Sequence, residues 1–178
     1  MKNVAASVRT RLSNLARETR TPLAVLMERF ALGRLLWRLS RGTSADRFVL
    51  KGAQLFALWA EASHRPTRDV DLLGSGEASP ESLKEFFEML LDGPVEPEDG
   101  LLWGKVEATS IREDQRYQGV RVVTHATLAG AVVRVQIDVG FWRCHHPGDH
   151  GGGVAGVARL SRGAAFGLPA GNGDRRKT

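Results

Sequence analysis

The run from Gly119 to Val139 sets the strongest limit on what this chain can become. Two long stretches of strand-forming residues, Gly119 to Leu128 and Ala131 to Val139, flank an Ala129-Gly130 turn. In the first, Arg121, Val123, His125 and Thr127 alternate with Val122, Thr124, Ala126 and Leu128. That is the period-two pattern of a strand with one face in a core. The spacing predicts an antiparallel hairpin, whose apolar face must be covered by other elements.

Helices at the start of the chain can supply that cover. Val4, Val8, Leu12, Leu15 and Ala16 recur at helical spacing, predicting a helix over 4–19. Thr21-Pro22 reads as an N-cap followed by proline at the first helical position, opening a second helix to about Leu39 that exits at Gly42. A third helix is expected over 80–91, with Ser79 as its N-cap. Short strands are expected at 48–50, 70–73 and 105–111, a short helix over 53–62, and loops at 64–67 and 93–100. Helices first, then a mixed sheet with helices inserted, argue an α+β class with α/β-like character.

Composition narrows the function classes. Apolar residues make up 42% and charged residues 25% of the 178 residues, a soluble globular balance. No run approaches the roughly 18 apolar residues of a membrane span, and the polar N-terminus does not resemble a secretory signal. The expected location is the cytoplasm, in keeping with a lone Cys144. Net charge is +5, but Arg143, Arg159, Arg162, Arg175, Arg176 and Lys177 against Asp149 and Asp174 put most of it in residues 142–178. The basic pI therefore describes the tail and not the body.

The chemistry is concentrated in RDVDLLG, residues 68–74. On a strand, Asp69 and Asp71 project from the same face while Val70 and Leu72 point the other way. Two carboxylates at that spacing repel each other unless a cation lies between them. Oxygen donors of this kind suit a hard divalent ion such as Mg²⁺ or Mn²⁺, which also engages phosphates. The competing reading is a pair of surface carboxylates matched with Arg65 and Arg68. Upstream, Leu50-Lys51-Gly52-Ala53 leads from a strand through a glycine into a helix, a turn where backbone N–H groups can meet phosphate.

Strand, glycine turn, helix, then Asp-x-Asp on the next strand resembles the nucleotidyltransferase superfamily. More narrowly, KGAQLFALW with RPTRDVDLLG resembles the AbiEii/AbiGii toxin family, over about residues 4–141. The resemblance implies a mixed sheet flanked by helices. It also implies a toxin of a toxin–antitoxin or phage-exclusion system that uses a nucleoside triphosphate and a divalent metal, with tRNA as an acceptor in some members and a cognate antitoxin as partner. Carried over by residue, Asp69 and Asp71 match the metal couplet and Gly52 the phosphate turn. Ala53 stands where the family has a second Gly or Ser. Asp138, in VQIDV, is the candidate third carboxylate for metal binding or general base; a salt bridge to Arg134 or a solvent-facing edge position is the alternative for it. Lys51, Arg65 and Arg68 flank the proposed nucleotide site, or else neutralise the aspartates. A remnant that binds nucleotide, RNA or antitoxin without turnover is the competing function.

After Phe141 the pattern changes. Residues 142–178 hold nine of the 20 glycines and three of the five histidines, with no Ile, Met or Tyr. The resemblance implies a further strand and a helical region with a catalytic lysine there. The expectation is instead a domain over 1–141, incomplete relative to the family, and a disordered Gly/Arg-rich tail, as a frameshift at Trp142 would produce. Cys144, His145, His146 and His150 fit no strong zinc spacing.

Overall fold

A computed structural model describes residues 3–42, 45–51, 69–77, 79–112, 118–141 and 157–159. Three helices lie within it: α1 (Val4–Thr19), α2 (Leu23–Arg41) and α3 (Pro80–Asp92). Seven strands form one mixed sheet: β1 (Phe48–Lys51), β2 (Asp69–Gly74), β3 (Leu101–Trp103), β4 (Glu107–Arg112), β5 (Gln118–Leu128), β6 (Ala131–Phe141) and β7 (Val157–Arg159). The order across it is β3, β5, β6, β2, β1, β7, with β4 also pairing β5. Only the β2–β6 pair is parallel among these. The expected α+β architecture with a mixed sheet and N-terminal helices is the one observed.

The hairpin forms as its sequence dictates. Ala129 and Gly130 take positive φ values of 47° and 82°, the backbone a two-residue hairpin turn needs. Leu128 then pairs with Ala131, and the register runs unbroken to Gln118 opposite Phe141. Arg9 of α1 donates from Nη1 to the Ala129 carbonyl at 2.6 Å, tying the helix layer to the turn.

All three helices cover one face of the sheet: α2 lies over β6, α3 over β4 and β5, and α1 against α2 and β5. The core is therefore one layer. Leu35, Leu36 and Leu39 of α2 and Leu83 and Phe87 of α3 meet Phe48, Leu50, Leu72, Val122, Ile137 and Val139 from the strands, all fully buried. Phe48 packs on Phe86 and Phe87 with ring centroids 5.2 and 6.1 Å away. Removing one such side chain costs about 2–5 kcal/mol. Gly74 ends β2 where a Cβ would stand 2.8 Å from the Phe141 ring, so the core closes over the strand end only without a side chain there.

Several boundaries differ from the sequence reading. Thr21 is not the N-cap of α2; Pro22 holds that position, with no side-chain cap, and the helix continues two residues past Leu39. The α3 cap is as expected, Ser79 Oγ accepting from the Ser82 N–H at 3.1 Å. β3 is a strand the sequence reading left unassigned. β7 falls inside the stretch expected to be a disordered tail and pairs antiparallel with β1, Lys51 opposite Val157. The rest of that tail, the Cys144 and His145, His146, His150 group, and the short helix expected over 53–62 lie outside the described residues. Among the described residues no helix is long and apolar enough to cross a membrane.

The acidic loop at 93–100 is fastened from α2. Arg34 Nε donates to Asp99 Oδ2 at 3.0 Å and its Nη2 to the Pro97 carbonyl at 2.8 Å. Arg38 Nη1 donates to the Gly93 carbonyl at 2.7 Å, while Asp99 Oδ1 accepts from the Leu101 N–H at 3.1 Å. Arg34, Arg38 and Asp99 are all buried. Burial lowers the Arg38 guanidinium below its ordinary value; Asp99 pulls it back up and Arg34 pushes it further down. Gly100, at φ 71°, lets the loop pass α1 where a Cβ would stand 2.6 Å from the Ala5 backbone.

Candidate active site

The face of the sheet opposite the helices carries the charged residues. Because side chains alternate along a strand and paired residues share a face, the registers define a row across the sheet. Thr109 on β4 pairs with Arg121 on β5, Arg121 with Asp138 on β6, and Asp138 with Asp71 on β2. Continuing the Leu50–Leu72 register by one step sets Lys51 of β1 beside Asp71. Asp69 pairs with Gln136, one step along the same face.

The sequence pattern explains why the carboxylates end up here. Val70 and Leu72 are buried against the helix layer, which forces Asp71 outward. Ile137 and Val139 do the same for Asp138. Asp71 is exposed and Asp138 half-buried. Adjacent strands stand about 4.8 Å apart, so Asp71 and Asp138 are neighbours of like charge, an arrangement that is destabilising without a cation.

One cation is supplied by the sheet itself. Arg121 grips Asp138 with two parallel bonds, Nε to Oδ1 at 2.8 Å and Nη2 to Oδ2 at 2.7 Å. The sequence reading offered Arg134 as the salt-bridge partner of Asp138. Arg134 instead donates to Gln136 Oε1 at 2.8 Å. It lies on the same face but four residues back along β6, whereas Arg121 is directly across. Lys51 is a second cation. Its Nζ lies 3.2 Å from where a Cβ of Gly140 would stand, so the ammonium reaches over β2 towards β6 through space a side chain at 140 would narrow.

The structure thus brings together Asp71, Asp138 and Lys51, with Asp69 on the same face of β2. The Asp69 side chain, Gly52, Ala53, Arg65 and Arg68 lie outside the described residues. The sequence reading missed the pairing role of Arg121 and the space left by Gly140. The signal for Arg121 was present: counting back from the two-residue turn pairs it with Asp138.

Among the described residues no three His, Cys, Asp or Glu side chains form a metal cluster. The donor set still fits a hard divalent cation, because the aspartates supply only carboxylate oxygens, Asp71 is exposed, and Asp138 stands opposite it. The chemistry such a set supports is neutralisation and positioning of phosphate groups beside an activated hydroxyl.

A second concavity lies elsewhere, between the end of α3 and the 93–106 segment. It has a volume of about 1050 Å³ and is rimmed by Glu85, Glu88, Asp92, Glu96 and Glu98. Met89 and Leu102 are exposed on it.

The sequence profile described as nucleotidyl transferase AbiEii toxin, type IV toxin–antitoxin system, matches residues 34–149, more than half of the chain. The chain belongs to the AbiEii family. Its match extends past Phe141, beyond the boundary drawn from sequence pattern. Two crystal structures from Helicobacter pylori are similar, each at 12% identity over 72% of this chain: a candidate nucleotidyltransferase, with a TM-score of 0.41 over 49% of its own length, and the protein designated JHP933, with a TM-score of 0.40 over 47%. The chain spans about half the length of these solved structures. Curated proteins gave no significant match.

Proposed function

We propose that this chain is a nucleotidyltransferase-type toxin whose active centre is the carboxylate row on the open face of the sheet. One observation carries the reading: the β2–β6 register sets Asp71 opposite Asp138, with Asp69 two residues along the same strand. In a chain of the AbiEii family this is where a divalent-metal-dependent transfer would be run.

In the proposed reaction a hydroxyl, such as a tRNA 3′-end, attacks the α-phosphate of a nucleoside triphosphate in line, and pyrophosphate leaves. Asp69, Asp71 and Asp138 would hold Mg²⁺ or Mn²⁺, which when bound neutralises phosphate charge and lowers the pKa of the attacking hydroxyl. Asp138 would complete the ligand set or take the hydroxyl proton. Lys51, Arg65 and Arg68 would hold the triphosphate, and Gly52 with Ala53 would seat it at the start of the following helix. The reaction belongs in the cytoplasm, where triphosphate and tRNA are available, and a cognate antitoxin would restrain it.

The test is transfer of label from α-³²P-labelled triphosphates to tRNA with Mg²⁺. Wild type should transfer and Asp69→Ala should not. Equal transfer by the two would sink the assignment. A second reading follows from the change of pattern after Phe141: a chain that binds nucleotide, RNA or antitoxin without turnover. Equilibrium binding of triphosphate with no transfer would select it. Resequencing the coding DNA across Phe141–Trp142 tests the frameshift reading of the tail. An open shifted frame encoding a patterned helical region with a lysine supports it, and an immediate stop contradicts it.

A further inference from the structure

The groove between the end of α3 and the 93–106 segment is opposite in sign to the chain that carries it. The chain has a net charge of +5, yet Glu85, Glu88, Asp92, Glu96 and Glu98 rim the groove against Lys105. Helical spacing explains the rim. Leu83, Phe87 and Leu91 turn into the core, which leaves Glu85, Glu88, Met89 and Asp92 on one outward stripe of α3. Among the described residues none of the five rim carboxylates forms an ion pair. Nor do any three acids there stand close enough to hold one metal ion. The negative charge is spread along the groove and not focused on a point.

The groove is apolar as well as acidic. Met89 and Leu102 are 75% and 73% exposed on it, two of the three large apolar side chains exposed among the described residues. Exposed apolar surface rimmed by polar groups marks a protein contact. The lining also includes Arg38 and Trp103, whose buried Nε and Nε1 donors have no partner. Acceptors are what this floor lacks. We infer that the groove docks a basic, amphipathic segment of a partner protein. Spaced lysines or arginines meet the rim carboxylates, apolar side chains cover Met89 and Leu102, and the segment's carbonyls bring acceptors. Nucleic acid is repelled by the rim. A small polyamine matches the charge and offers little to the exposed Met89 and Leu102 side chains.

Fluorescence anisotropy with the full chain and labelled peptides of about 16 residues, some four helical turns, tests the docking. The probe repeats leucine, lysine, lysine, leucine. One control peptide has glutamate for lysine, and the other has serine for leucine. The leucine–lysine peptide should bind about tenfold or more tightly than either control. Glu88→Lys with Glu98→Lys should weaken it about tenfold or more, and Met89→Ser with Leu102→Ser about fivefold. Glu18→Lys with Glu81→Lys makes the same change in net charge outside the groove and should alter binding less than about twofold. If circular dichroism shows the Glu88 and Glu98 reversal unfolded, Glu88→Gln with Glu98→Gln replaces it. Equal loss in the Glu18 and Glu81 pair, equal binding of the glutamate peptide, or no binding by wild type overturns the docking site. Displacement by spermidine at the same amine concentration overturns it in favour of a polyamine site. A dimer in sedimentation that the Glu88 and Glu98 reversal dissolves overturns it in favour of a second copy of this chain.

Discussion

Two charged networks stand on opposite sides of the sheet, and they differ in burial. On the helix side, Arg34, Arg38 and Asp99 are buried together, with side chains 7% and 3% exposed in the Arg34–Asp99 pair. Two cations meet one anion there, and backbone carbonyls at Pro97 and Gly93 take the surplus donors. The network is dry, and of the Arg38 nitrogens Nε is left without a partner. On the open face, Arg121 grips Asp138 while itself half in water, and Asp71 beside them is exposed. A charge set that is buried against fixed partners holds a loop in place. A set of carboxylates beside solvent can be reached by a cation from outside.

The sharpest way to break this contrast is to remove one acid from each side. Asp71→Asn should reduce label transfer by about a thousandfold or more, since metal-bound charge stabilisation is worth several kcal/mol. Its thermal unfolding should change far less than that of Asp99→Ala, because Asp71 is exposed. A large loss of stability would mean the row is structural. Asp99→Ala should do the reverse, costing about 3–5 kcal/mol in urea unfolding by leaving Arg34 and Arg38 buried without their anion. A cost under about 1 kcal/mol would show that the carbonyls alone suffice.

Smaller effects sharpen the same division. Gly100→Ala should cost roughly 1–3 kcal/mol, because it strains a φ of 71° and drives a methyl group into the Ala5 backbone. Ser79→Ala removes the α3 cap and should cost about 1 kcal/mol. Both read out in unfolding, and both should leave any residual Mn²⁺ binding unchanged, since they lie on the helix side. Altered Mn²⁺ affinity in either would couple the two faces and contradict their separation.

Much of this division was legible before the fold was known. The alternation through 119–139 gave the hairpin, and Val70 and Leu72 fixed which way Asp69 and Asp71 point. Helix periodicity placed α1, α2 and α3 to within two residues. The Arg121–Asp138 pair was legible too, through the two-residue turn, yet Arg134 was the nearer residue in sequence and drew the assignment. Other features depend on contacts distant in the chain. Nothing local shows that β2 runs parallel to β6 and sets Asp71 beside Asp138. Nothing local shows that Arg34 reaches across 65 positions to Asp99, or that Val157–Arg159 adds a strand beyond β1.

The most direct measurement maps where a divalent cation sits. Substoichiometric Mn²⁺ added to ¹⁵N-labelled protein broadens amide signals near the ion and spares distant ones. The account predicts selective loss at Asp71, Leu72, Ile137 and Val139, with Arg34, Arg38 and Asp99 retained. Broadening centred on the acidic groove of Glu85, Glu88 and Glu98, or spread evenly over the spectrum, would contradict the claim that the open-face carboxylates are the metal site.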